Sequence, residues 1–137
     1  MKVNKLRQTV SAVLLNKKGQ VLAVSRKHDH NDMSLPGGKV DSTDPSLKEA
    51  IKREVKEETG LDINTSTMVR LVTMPNDMSG NKYWGNTYLV LDWSGKIETD
   101  EPHVVKWTSF DEIIDGSFGT WNVLVQASLK VLGLDVE

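Results

Sequence analysis

Residues 47–61, Leu-Lys-Glu-Ala-Ile-Lys-Arg-Glu-Val-Lys-Glu-Glu-Thr-Gly-Leu, constrain the fold of this chain more than any other stretch. Leu47, Ala50, Ile51, Glu54, Val55 and Glu58 recur at the spacing of one core-facing helical stripe. The first half of that stripe is apolar. The second half places two carboxylates where a core helix carries Leu or Val, with Glu57 beside them. Like charges three and four residues apart on a helix repel, and burying them unpaired costs far more. A hard cation is the simplest partner that removes both penalties. Just upstream, Pro36-Gly37-Gly38 breaks regular structure and allows backbone to approach a ligand closely.

The rest of the chain frames this helix. Residues 8–16 and 20–25 are β-rich and read as an antiparallel hairpin about the turn at 16–19. Residues 26–34 are polar, hold His28 and His30, and read as a loop; two histidines in such a loop are ordinarily solvated. The turn-rich stretch 41–45 leads into the helix, with Asp44 or Thr43 as its cap, Pro45 near its first position and Gly60 as its stop. Stretches 68–74 and 87–93 read as strands, and the Asn-, Asp-, Gly- and Ser-rich residues 75–82 as a mobile loop between them. A last strand is expected at 104–110. Trp121, Leu124, Val125, Ser128, Leu129 and Leu132 then give a second helical stripe closed by Gly133.

At 137 residues the chain reads as one domain spanning 1–137, with strands on both sides of one helix and a second helix at its end. That order predicts an α/β (α+β) fold with a mixed β-sheet between helices. A net charge of −2 argues against binding a nucleic-acid polymer and gives no reason to expect a membrane partner. Cysteine is absent, so neither a disulfide frame nor a thiolate zinc site is available. The apolar run at 10–15 is short and contains Ser11, so it reads as a strand rather than a signal peptide, and a cytoplasmic location is the default.

Gly38 followed by Arg53-Glu54-Val55-Lys56-Glu57-Glu58-Thr59-Gly60-Leu61 resembles the signature of the Nudix (MutT-like) hydrolases, Gly-x5-Glu-x7-Arg-Glu-U-x-Glu-Glu-x-Gly-U, where U is bulky and aliphatic. The second half matches at every specified position. The first half departs twice: Asp44 replaces the Glu, and eight residues rather than seven separate it from Arg53. In the family that Glu pairs with the Arg. The resemblance implies an α/β/α sandwich and hydrolysis of a nucleoside diphosphate linked to another group, with Mg²⁺ (or Mn²⁺) as cofactor. It makes Glu57 and Glu58 metal ligands together with the Gly38 carbonyl, and Glu54 a ligand or the base that activates water. Phosphoryl chemistry of this kind needs charge neutralisation and a positioned water more than covalent help. Arg53 lies four residues before Glu57 and is placed to orient it.

Family analogy supplies further candidates. Glu101, with Glu98 as second choice, stands where members add a carboxylate from a later loop; either also reads as a solvated acid. Arg26 and Lys39 are candidates for the substrate phosphates, and surface charge is the plain alternative for both. Asn122 resembles a base-reading Asn of 8-oxo-dGTP hydrolases, or is an ordinary residue at a helix start; Trp121 and Trp84 have rings able to stack on a base. The implied partner is a small nucleotide, and the protein is a monomer or homodimer. The leading function is conversion of a nucleoside triphosphate, with oxidised purines included, to monophosphate and pyrophosphate. The rivals are ADP-ribose or nucleotide-sugar hydrolysis, for which Pro75 resembles a marker, and a nucleotide-binding module without turnover.

Overall fold

The computed structural model describes residues 6–78, 81–134 and 136. These form strands β1 (Arg7–Val13), β2 (Val21–Arg26), β3 (Asp29–Ser34) and β4 (Gly37–Lys39), followed by helix α1 (Leu47–Thr59). Strands β5 (Asp62–Ile63), β6 (Val69–Met78), β7 (Asn81–Leu89), β8 (Trp93–Ser94) and β9 (Val105–Thr108) come next, then helices α2 (Phe110–Ile114) and α3 (Gly119–Val131). One sheet runs β4-β1-β7-β6 and is mixed, since β1 pairs in parallel with β7 and antiparallel with β4. A second, antiparallel, runs β3-β2-β9, and β5 pairs with β8.

Strand alternation divides the interior in two. Val10, Ala12 and Leu14 pack with Ala50, Ile51 and Val55 of α1, joined by Leu22, Tyr88 and Val90. Val13 and Leu89 turn the other way and meet Phe110 and Ile113 of α2 and Val125 and Leu129 of α3. The result is the expected α/β/α arrangement with a mixed sheet between helices. Burying Ile51 and Val55 completely contributes about 1.5–3 kcal/mol each, and this anchors the polar end of α1.

Several elements differ from the expectations. The hairpin forms only at its base, where Leu15 bridges Val21 and Leu22 N–H donates to the Leu14 carbonyl; the strands then diverge into separate sheets. Residues 29–34 form β3 rather than a loop, because pairing with β2 satisfies their backbone while only Met33 needs burial. Gly37–Lys39 joins β1 as a strand instead of breaking the sheet. The expected mobile loop at 75–82 is mostly a continuation of β6 and β7, with Pro75 opposite Trp84; Ser79 and Gly80 lie outside the described residues. Helix α2 was not expected at all. In α3 the buried positions are Asn122, Val125 and Leu129, one residue out of phase with much of the expected stripe: Leu124 and Leu132 are 39% and 52% exposed.

Candidate active site

Helix α1 begins later than the sequence reading places it, with its cap two residues beyond Asp44 and three beyond Thr43. Ser46 is the N-cap, and its hydroxyl accepts the Glu49 N–H at 3.1 Å. Gly60 ends the helix in the left-handed region at φ 86°, and its N–H closes on the Lys56 carbonyl. A Cβ on Gly60 would stand 2.1 Å from the Glu98 carbonyl oxygen. That contact belongs to a latch: Glu98 N–H donates to the Thr59 carbonyl, Thr99 Oγ1 to the Glu57 carbonyl, and His103 Nε2 to the Glu58 carbonyl at 2.7 Å. The last carbonyls of α1 are thereby satisfied by the 98–103 loop.

With Ser46 as the cap, Asp44 is free for another task. Its carboxylate takes two bonds from Arg53, Nε at 3.0 Å and Nη2 at 2.8 Å, a fork geometry suited to guanidinium. The pair that the family's Glu makes with the Arg is therefore present here, despite the shorter Asp side chain and the added residue. Arg53 Nη1 also reaches Glu54 at 3.1 Å and Glu57 at 3.4 Å, and Nη2 reaches the Lys39 carbonyl at 3.3 Å. Arg53 thus joins the loop, β4 and the acidic turn. Arg53 holds Asp44 below the usual carboxylate range, and Asp44 raises the proton affinity of the guanidinium in return.

The two glycines of β4 meet the other carboxylates. A Cβ on Gly38 would lie 2.6 Å from Glu54 Oε1, so any larger residue there would push that carboxylate away from the strand. Gly37 N–H donates to Glu58 Oε1 at 2.7 Å. Burial raises the Glu54 carboxyl despite Arg53. Burial pushes Glu58 further, to about 8, against the Gly37 N–H and with added repulsion from Glu54, Glu101 and Glu57. Glu57 is 52% exposed. Among the described residues no three His, Asp or Glu side chains already form a ligand cage. Mg²⁺ needs only one or two direct carboxylates and keeps its remaining waters, so Glu54, Glu57, Glu58 and the Gly38 carbonyl still suit it. Their hard oxygen donors and crowded negative charge are the chemistry such an ion neutralises.

Two hollows adjoin β4. The first, about 240 Å³, is lined by Thr9, Ser11, Lys39, Asn76, Tyr83, Gly85, Phe118 and Trp121, among others. The second, about 330 Å³, is lined by Arg26, His28, Glu58 and His103. They share Ser34, Leu35, Gly37 and Phe118. Trp121 lies on Gly85, where a Cβ would be 2.7 Å from its ring, and its Nε1 donates to Thr87 Oγ1 at 2.8 Å. Asp32 accepts both the N–H and the hydroxyl of Ser117, fastening the turn that carries Phe118.

The candidates are distributed as follows. Arg26 is exposed at the rim of the second hollow, 4.0 Å from Asp32. Lys39 lines the first hollow, its ammonium 5.7 Å from the centre of the Tyr83 ring. Glu101 is half exposed, 3.6 Å from Lys27 Nζ, and close enough to Glu58 to raise it. Glu98 is exposed beside Lys96. Asn122 is not among the lining residues: it is 1% exposed, and its Nδ2 donates to the Ile113 carbonyl at 3.0 Å and to Ser34 Oγ at 3.4 Å. A base-reading role does not fit this geometry, since the amide donors are held inside the protein. Trp84 donates to Thr73 and does not line the first hollow. His30 Nε2 contacts the Pro102 carbonyl at 3.1 Å. Sequence reasoning missed Ser11, Phe118 and His103; the alternation Thr9-Val10-Ser11-Ala12 carried a signal for Ser11, as a polar residue facing away from the α1 core.

The family model for the NUDIX domain matches residues 5–125. The chain therefore belongs to the Nudix family and is a Nudix-type pyrophosphohydrolase; members of that family generally use divalent metal ions. The structure is similar to a MutT NUDIX hydrolase from Burkholderia pseudomallei, at 24% identity and TM-score 0.72 over 88% of this chain and 95% of the other. It is similar also to a MutT protein from Methanosarcina mazei, at 22% identity and TM-score 0.73 over 93% and 96%. A MutT/nudix family protein from Enterococcus faecalis aligns at 29% identity and TM-score 0.61, over 75% of this chain and 43% of that one. No curated protein matches the chain. Among the described residues no helix is long and apolar enough to cross a membrane.

Proposed function

We propose that this chain is a Mg²⁺-dependent pyrophosphohydrolase that converts a nucleoside triphosphate, oxidised purine nucleotides included, to the monophosphate and pyrophosphate. The observation that carries this reading is the meeting of two unlike environments at β4. On one side is an aromatic-walled hollow with Tyr83, Phe118 and Trp121; on the other are Glu54 and Glu58. A base suits the first, since aromatic faces accept a planar ring, and the shared Gly37 leads from it to the acidic edge. Arg26 and Lys39 supply positive charge at the rims for the phosphate chain.

When bound there, a divalent ion would supply charge neutralisation for the phosphate oxygens and would make an attacking water more acidic. The protein holds the donors for it. Arg53, fixed by Asp44, orients Glu54 and Glu57, and the Gly37 N–H orients Glu58. Glu54, whose proton affinity is raised by burial, is the group we assign to accept the proton of the water that attacks phosphorus. Glu101 adds a carboxylate beside Glu58.

Purified protein with Mg²⁺ and a panel of nucleoside triphosphates and ADP-ribose tests the reading. Pyrophosphate release from triphosphates is expected. Exclusive cleavage of ADP-ribose would transfer the assignment to the nucleotide-sugar class, and no turnover of any substrate would leave only a binding module. Glu54→Gln should lower kcat by about 10²–10⁴-fold with an unchanged melting curve; full activity in that variant would place the base elsewhere.

A further inference from the structure

The aromatic hollow is lined by a hydroxyl, that of Ser11, whose proton has no acceptor among the described residues. Thr87 is fully buried, and its hydroxyl accepts the indole N–H of Trp121 at 2.8 Å. A threonine hydroxyl has one proton of its own to place, and burying it without an acceptor is costly. The acceptor found for it among the described residues is Ser11 Oγ, at 2.6 Å. Heavy atoms alone leave the direction of that bond open, but the indole decides it: an N–H only donates. Thr87 therefore donates to Ser11, since the reverse would leave the buried Thr87 proton with no partner.

This ordering acts on Ser11. Its oxygen already accepts from Thr87, and its own O–H has no other bonding partner among the described residues. Ser11 lies on β1 between Gly37 of β4 and Thr87 of β7 in register, and it lines the hollow while its neighbours Val10 and Ala12 are buried. A Cβ on Gly37 would come within 3.0 Å of Ser11 Cβ, so the missing side chain at Gly37 leaves Ser11 uncovered. The remaining lone pair of Ser11 tolerates being unpaired better than the proton does, because a hydroxyl oxygen that already accepts one bond is not an orphan.

We propose that Ser11 Oγ–H, polarised by the Trp121–Thr87 chain, is a specificity-determining donor that reads a ring carbonyl oxygen of the bound base. The inference rests on the reading of this hollow as the base pocket. A base presenting a carbonyl completes the chain Trp121 to Thr87 to Ser11 to ligand. A base presenting an amino group at the same place meets a donor with a donor.

Inosine and adenosine nucleotides test this, because at position 6 one carries a carbonyl and the other an amine. Ser11→Ala should lower kcat/KM for ITP by roughly 10-fold, mostly through KM, and change that for ATP by less than about 2-fold. Ser11→Thr, which keeps the hydroxyl, should restore ITP. Binding of IMP and AMP, followed by quenching of tryptophan fluorescence, gives a readout that needs no turnover, and Ser11→Ala should weaken IMP selectively. Equal loss for both bases, or no loss, overturns the proposal even where triphosphates are hydrolysed. Selective loss of IMP binding in a protein that hydrolyses no triphosphate upholds Ser11 and overturns the catalytic reading instead. Melting curves of both variants separate these outcomes from misfolding.

Discussion

The Asp44–Arg53 corner and the Gly37–Glu58 corner flank Glu54 and treat buried charge in opposite ways. At the first, a carboxylate only 6% exposed meets a guanidinium through two N–H···O bonds, remains ionised and fastens the 41–45 loop to α1. At the second, a carboxylate is pressed against β4 with one backbone N–H as donor and three carboxylates around it, and burial pushes it to about 8. Glu54 lies between them, bonded to Arg53 and yet raised by burial. A carboxylate that a guanidinium reaches becomes a fastening. One that it does not reach, as at Glu58, is left with a need for charge, which a proton meets and which, in the proposed reading, a divalent cation would meet instead.

Glu58→Gln is the strongest way to break this contrast. It keeps the acceptor for Gly37 N–H but removes the charge, so kcat/KM should fall by on the order of 10²-fold or more. The stability of the metal-free protein gives a second readout. Because the folded value of Glu58 lies above its ordinary 4.5, its contribution is fully present below 4.5 and is lost as pH rises through about 8. The wild-type melting temperature should therefore decline across that window, the variant's should decline less, and Mg²⁺ should restore more stability to the wild type. Parallel pH profiles for the two proteins would show that Glu58 does not bear the raised affinity.

Asp44→Ala should have the next largest effect. It removes two charge-assisted bonds from Arg53 and costs about 2 kcal/mol of stability, read from denaturant midpoints. Arg53 keeps Glu54 and Glu57 as partners, so activity should drop by roughly 10-fold rather than vanish. A loss as large as that of Glu58→Gln would mean that the two corners are one unit and that the contrast between them is false.

Much of the acidic helix was legible because its rules are local. The stripe Leu47, Ala50, Ile51, Val55 obeys helical period, Gly60 supplies a positive φ, and the resemblance of 53–61 needs no tertiary knowledge. The elements that escaped depend on pairing. Residues 29–34 contain one buried apolar side chain, so nothing in their own pattern signals β3; the partner β2 does. The phase of α3 was misjudged because Trp121 looks like core and Asn122 like surface. In the fold Asn122 is buried through bonds to Ile113 and Ser34, while the Trp121 ring spans core and hollow. Asn can be interior only when partners meet its amide, and those partners come from β3 and α2, two elements that the sequence reading lacked.

The smallest effect concerns the point where the helix starts, and it decides which task Asp44 performs. If Ser46 is the cap, Ser46→Ala removes the bond to Glu49 N–H and should cost about 1 kcal/mol, leaving kcat/KM within about 2-fold. Asp44 would not take over, because its two oxygens are engaged by Arg53 and by the Asp41 N–H. The double variant Ser46→Ala/Asp44→Ala then distinguishes two arrangements. Independent sites give a stability loss equal to the sum of the single losses, within a few tenths of a kcal/mol. If Asp44 served as a reserve cap, Ser46→Ala alone would cost almost nothing, and the double variant would lose more than the sum. That outcome would break the contrast between the corners, since the Asp44 carboxylate would be shared between the helix end and Arg53 instead of being fixed on the guanidinium that orients Glu54.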